Sequence, residues 1–111
     1  STFEETSAQG IIEGFLKSSL PEYLLAGAAS LLDAGGVMKI RLNKLPERWE
    51  IEGSVQGDDL EIYSSKLILH MNERRADFMC NCMDCFSGAC MHVGAVALKF
   101  LGSLNIDKDD A

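Results

Sequence analysis

The stretch 80-CNCMDCFSGACMHVGAVAL-98 holds all four cysteines and one of the two histidines of this 111-residue chain. Two short pairs stand out in it, Cys80-x-Cys82 and Cys90-x-His92, with seven residues between them. Thiolate and imidazole are the donors that a tetrahedral zinc ion takes, and closely spaced pairs are how chains deliver them. Alternate residues of an extended segment point to one side, so Cys80 and Cys82 can face one ion from a strand end. The loop through Gly88 then has to fold back so that Cys90 and His92 meet them. Four protein ligands leave no coordination position for water, which is the form of a structural site rather than a catalytic one. One such zinc ion contributes on the order of 10 kcal/mol of folding free energy. Cys85 stands outside the two pairs. It either replaces one of the four, Cys82 first, or is a free thiol of the loop, and a metal-free group of reduced core cysteines is the plain alternative.

Downstream of this stretch, Val93, Val96, Ala97, Phe100, Leu101 and Leu104 recur at helical spacing and predict a last helix after His92. Upstream, the period is two. Met38, Ile40 and Leu42 alternate with Lys39, Arg41 and Asn43, and Trp49, Ile51, Gly53 and Val55 alternate with Arg48, Glu50, Glu52 and Ser54. A third strand is expected from Leu60 to His70, with a bulge or bend where the alternation slips at Ser64-Ser65. A fourth, from Ala76 to Cys80, leads into the cysteine stretch. Turns are expected at 44–47, at Gly57-Asp58-Asp59 and at 72–75.

Further upstream, Ala8, Ile11, Ile12, Phe15 and Leu16 form the apolar stripe of a helix over 2–18, opened by a Thr2/Glu5 capping box. A second helix is expected from a Ser19-Leu20-Pro21-Glu22 start signal to about Ala34, where Gly35-Gly36 ends it. Leu20, Leu24, Ala28, Leu31 and Leu32 face one side of it. The fold class is therefore α+β: two N-terminal helices (1–35), a small antiparallel sheet of three to four strands, and a zinc-binding loop leading into a C-terminal helix (36–104). A charged tail occupies 105–111. The chain starts at Ser1 and stops in Asp107-Lys108-Asp109-Asp110-Ala111, and a cut from a longer protein is expected, with trimming of a small one as the alternative.

A hydrophobic content of 47% supports a real core. No apolar run reaches membrane-spanning length, so no membrane partner is expected. Four cysteines within eleven residues, after an acidic and polar start, point to metal rather than disulfides and to a reducing cytoplasm. The formal net charge of −7 is the wrong sign for a free-standing nucleic-acid binder. Nucleic-acid contact would need a local patch, for which Lys39, Arg41, Lys44, Arg48, Arg74 and Arg75 are the candidates; solvated strand faces explain them too.

C-x-C, a short loop, and C-x-H running into a small-residue helix resemble the SWIM zinc finger. Gly36-Val37, the Val55-x-Gly57 turn and Tyr63 are similar to the strand region that precedes that finger. The motif covers Cys80 to His92, and the weaker likeness extends it to roughly 36–102. The resemblance implies a zinc-stabilised ββα-like module that binds DNA or protein, as an accessory domain of bacterial helicase-like ATPases of the SWI/SNF group. Two departures matter. Met83 stands where a proline often follows the second cysteine, and Met91 stands where a basic residue often precedes the histidine. The second departure weakens the inference to DNA and leaves zinc untouched.

Two functions follow as expectations. The first is a non-catalytic zinc module that docks a protein, other domains of a parent chain, or DNA, with Met83, Phe86 and Met91 as apolar contacts. The second is an enzyme: thiol redox chemistry at Cys82-x-x-Cys85, or a zinc hydrolase with Asp84 as base. No βαβ context surrounds the C-x-x-C pair. No G-x-x-x-x-G-K loop is present, so an ATPase engine would have to lie elsewhere in a parent chain.

Overall fold

The computed structural model describes residues 2–86 and 88–104; the charged tail at 105–111 lies outside the described residues. Helix α1 spans Phe3–Ser19 and α2 spans Glu22–Asp33. Strands β1 (Val37–Lys44), β2 (Arg48–Gln56), β3 (Ile62–His70) and β4 (Arg75–Cys80) follow, and α3 (Met91–Ser103) closes the fold. The strands form an antiparallel sheet in chain order, β1-β2-β3-β4, so each pairs with the next through a hairpin. This is the α+β arrangement that the periodicities predict. No helix among the described residues is long and apolar enough to cross a membrane.

The inward face of the sheet is set by the alternation of Trp49, Ile51 and Val55 on β2 with Leu67 and Leu69 on β3, all buried. Helix α3 lies across this face. Its first two turns are buried nearly all round, at His92, Val93, Gly94, Ala95, Val96 and Ala97, because α2 covers the side turned away from the sheet. A helix clad on both sides needs small residues at its closest contacts. A Cβ at Gly94 would stand 2.8 Å from Leu20 Cδ1 and 3.0 Å from the Ala28 methyl. Helix α1 packs beside α3 against β4, with the Phe15 and Phe78 rings 5.8 Å apart. At the far end of α3, Phe100 meets Trp49 edge-to-face at 6.4 Å. Buried residues of all three helices and of β1, β2 and β3 belong to one apolar cluster.

Local chemistry explains the ends of the helices. Thr2 and Glu5 form the expected capping box, with both hydrogen bonds at 3.0 Å. Gly35, at φ +77°, ends α2 in the left-handed conformation that glycine accepts, and Gly36 N–H donates to the Leu31 carbonyl at 2.8 Å. The start of α2 differs from expectation. Ser19 is the last residue of α1 and does not cap, so Pro21 stands at the N-cap and offers only its carbonyl, to Leu24 and Leu25 N–H.

Two strand details also differ. The β2–β3 ladder runs unbroken from Arg48↔His70 to Gln56↔Ile62, so β3 carries no bulge at Ser64-Ser65. Ser65 occupies an inward, fully buried position in strict alternation with Leu67 and Leu69. A polar residue on the core face mimics a slip in the apolar alternation. The irregularity is in β1, between Val37 and Lys39. It buries Val37 and leaves Met38 56% exposed, while Ile40 and Leu42 keep the inward phase. Strand β3 begins at Ile62 rather than Leu60, because the turn runs on to Glu61. Gly57 N–H donates to the Glu61 carbonyl at 2.9 Å, and Leu60 takes φ +68°.

Candidate metal centre

The ligand atoms of Cys80, Cys82, Cys90 and His92 all lie within 4.8 Å of one another. Cys80 Sγ stands 3.9 Å from His92 Nδ1. Tetrahedral ligation by sulfur and nitrogen requires ligand–ligand edges of about 3.5–4 Å, so the four can hold one metal ion with small adjustments. Three of the four are buried and Cys80 is half-buried.

Each ligand is placed by an element described above. Cys80 ends β4 on its inward face, in register with Ser65. Asn81 continues the pairing, its N–H donating to the Ser64 carbonyl at 3.3 Å and its side chain accepting from Ser64 N–H at 2.9 Å. Cys82 therefore faces inward again, two residues on. A short 3₁₀ turn (Asp84–Phe86) and Gly88, at φ +152°, lead back to the start of α3. Cys90 is the N-cap of α3 and His92 its second residue, so the imidazole belongs to the helix rather than to the turn before it.

Hydrogen-bond donors surround the sulfurs. Ser65 Oγ donates to Cys80 Sγ at 3.1 Å, and the backbone N–H of Cys82 also points at that sulfur. The backbone N–H of Cys85 supports Cys82 in the same way. Val93 N–H lies on the stabilising side of Cys90 Sγ, short of a formed capping bond. Donors of this kind hold thiolates. The shared hydrogen bonds push the thiols in opposite directions. The Cys90 thiol donates to Cys80 and, with His92, Ser65 and Cys82 N–H, draws its pKa down to about 3 against the cost of burial. Cys90 is pushed far up, first by serving as that donor and then by burial, and burial raises Cys82. A divalent cation supplies the charge that lets all three ionise together.

A second layer holds the histidine. The Tyr63 ring lies against the His92 ring with centroids 4.6 Å apart, and Tyr63 Oη donates to Asp59 Oδ2. Asp59 also accepts from Glu61 N–H at 3.0 Å. The Tyr63 hydrogen bond holds the Asp59 carboxyl below its ordinary range, and Asp59 in turn pushes the phenol up to about 12. The Nε2 edge of His92 faces Gly57, where a Cβ would come within 2.9 Å of it. The β2–β3 hairpin thus forms the wall that fixes the imidazole.

The structure brings the two predicted pairs together and leaves the Cys85 thiol outside the ligand set; that residue is half-buried and contributes its backbone N–H. Ser65, Asp59 and the Tyr63–His92 stack were not read from the sequence as parts of the site. The signal for Ser65 was the interruption of the inward row on β3. His70 lies at the opposite end of β3, 2.8 Å from Asp77. Asp84 lines a cavity of about 510 Å³ between the metal loop and the start of α2, with Pro21, Tyr23, Leu24 and Met91. Met83 is 91% exposed, and Met91 is half-buried with its sulfur turned towards Gly27; the Phe86 side chain lies outside the described residues.

The six cations named for nucleic-acid contact are distributed over the outer face of the sheet, the Trp49 ring and the β3–β4 turn. Lys39, Arg41 and Arg48 lie on the outer face of the sheet, where Arg41 pairs with Glu52 at 2.9 Å and Arg48 with Glu50 at 2.8 Å. Lys44 sits 4.6 Å over the Trp49 ring. Arg74 reaches back to Ser7 on α1 at 3.0 Å, and Arg75 pairs with Glu73 and Asp77. Among known proteins, no family model matches the chain, and no curated protein or solved structure matches it either.

Proposed function

We propose that this chain is a non-catalytic zinc module of the SWIM type, whose metal ion shapes a surface for docking a protein. One observation carries the reading: three cysteines and a histidine converge in a half-buried pocket where N–H and O–H donors already point at the sulfurs. Cys80, Cys82, Cys90 and His92 would hold the ion, and its role would be to cross-link β4 to α3. Zinc is the metal that this donor set favours over calcium, magnesium or manganese, which take oxygen. Protein stands ahead of DNA as the partner because Arg41, Arg48 and Arg75 are paired with carboxylates and the chain is acidic. The accessory role in a SWI/SNF-type helicase, and residence in the cytoplasm, belong to the same proposal through the motif alone. The enzymatic alternative has less support. Four protein ligands leave no position for water, and the Cys82 sulfur that a redox pair with Cys85 would need sits in the ligand set.

Metal analysis of the purified protein, X-ray absorption at the zinc edge and a thiol count test the reading together. The expected result is one zinc per chain with three sulfurs and one nitrogen, and one reactive thiol, Cys85. A metal-free folded protein with a reversible Cys82–Cys85 disulfide overturns it.

A further inference from the structure

The β2–β3 hairpin that walls the histidine also projects an apolar group outward. Leu60 is 76% exposed and Ile62 55% exposed. Met83, in the bend that follows β4 and one residue past the candidate ligand Cys82, is 91% exposed. Leu60 and Ile62 are chain neighbours of Asp59 and Tyr63, which support His92, and Met83 is the chain neighbour of Cys82, so all three exposed side chains adjoin the candidate centre or its supports. Leu60 carries its side chain at φ +68°, a backbone region that disfavours any residue with a Cβ and that glycine would occupy freely. The position therefore holds a largely exposed apolar side chain against local backbone preference.

Charge identifies the partner. Residues 57–62 read GDDLEI, three carboxylates and no cation, and Asp84 follows Met83. Asp59 is committed to Tyr63 and the Glu61 N–H. Asp58 and Glu61 stand beside Leu60 and Ile62 in the hairpin and give that end negative charge, which repels a phosphate backbone and attracts lysine and arginine. We propose that Leu60, Ile62 and Met83 form a rim that docks a cationic protein segment through an apolar side chain. The proposal rests on the docking-module reading above and gives it a surface and a partner chemistry.

The test is selection of a random peptide library on the zinc-loaded protein, followed by affinity measurements with the selected peptides as synthetic probes. Lysine or arginine flanking a leucine, isoleucine, phenylalanine or methionine should be enriched. Leu60→Gly and Ile62→Thr should each weaken the selected peptide about tenfold or more, and high salt should weaken it too. Leu60→Gly should at the same time leave the melting temperature unchanged or raise it, so that folding and binding move apart. Acidic consensus peptides, binding indifferent to both substitutions, or no enrichment at all overturns the proposal. So does duplex DNA binding that the same substitutions abolish. Zinc content of the same samples separates the two readings. Full zinc without rim-dependent binding sinks the docking surface alone, whereas rim-dependent binding in a zinc-free protein supports the surface and sinks the metal role.

Discussion

The inward face of the sheet has two halves, and they are held by different means. At one end Trp49, Ile51, Leu67 and Leu69 pack beneath α3, with Phe100 closing over the indole. At the other, Ser65, Tyr63 and Cys80 face Cys90 and His92. The first half is complete in water's absence, because its groups are apolar. The second gathers three sulfurs and an imidazole close enough to hold a metal ion. One helix spans both halves. The comparison teaches that apolar contacts alone hold the C-terminal end of α3, whereas its buried N-terminal end also carries two of the four residues that could hold a metal ion.

Removing the metal should separate the halves most sharply. Chelation, or Cys90→Ser, is expected to cost on the order of 10 kcal/mol of apparent stability relative to the zinc-saturated parent protein. Circular dichroism and thermal melts with and without chelator should show the ligand end loosened. A cooperative melt that chelator leaves unmoved would mean that the two ends do not differ in kind. Trp49→Ala strikes the other half and should cost about 3–5 kcal/mol in urea unfolding at saturating zinc. Zinc affinity should stay near that of the parent protein. An equal loss of zinc affinity would show that the halves are not separable through α3.

Finer probes sharpen the boundary. Ser65→Ala removes the hydroxyl donor to Cys80. Competition with a chromophoric chelator should show a loss of about tenfold in metal affinity, while the metal-free protein is little affected. Smallest is the effect at the hairpin wall. In a Tyr23→Phe background, tyrosinate absorbance should titrate at about 12 rather than at the ordinary 10.0. The folded phenol holds its proton more tightly, so its contribution is complete below the ordinary value and is lost as pH rises towards 12. Asp59 behaves oppositely: its lowered pKa favours the fold above the ordinary carboxyl range, and the benefit is lost as pH falls. Asp59→Asn should return the phenol towards its ordinary value, and an unshifted titration would remove Asp59 from the wall.

The two halves were also unequally legible. Period-two alternation marks β2 and β3 where both strands are apolar inward, and helical spacing marks α1 and α3. The ligand pairs were readable because metal chemistry constrains donors over short spacings. What joins them was not. Ser65 broke the alternation and read as a bulge, since a hydrophobic pattern has no symbol for a hydroxyl that serves a thiolate. The true irregularity at Val37/Lys39 left a run of apolar and basic residues whose phase looked regular from Met38 onwards. The pairing of Arg41 with Glu52 and of Arg48 with Glu50 follows from strand geometry, so a list of cations overstated the free positive charge.

The position of the cysteine–histidine pair at the first turn of α3 has an electrostatic consequence. Three thiolates, one neutral imidazole and one divalent ion would leave the closed centre with a single residual negative charge. The N-terminus of α3 presents its unpaired N–H groups and the positive end of its dipole to that charge. A fourth thiolate at position 92 would double the anion facing the same helix end, whereas a second histidine in place of Cys90 would neutralise it. The donor set and the helix terminus are matched in charge as well as in geometry.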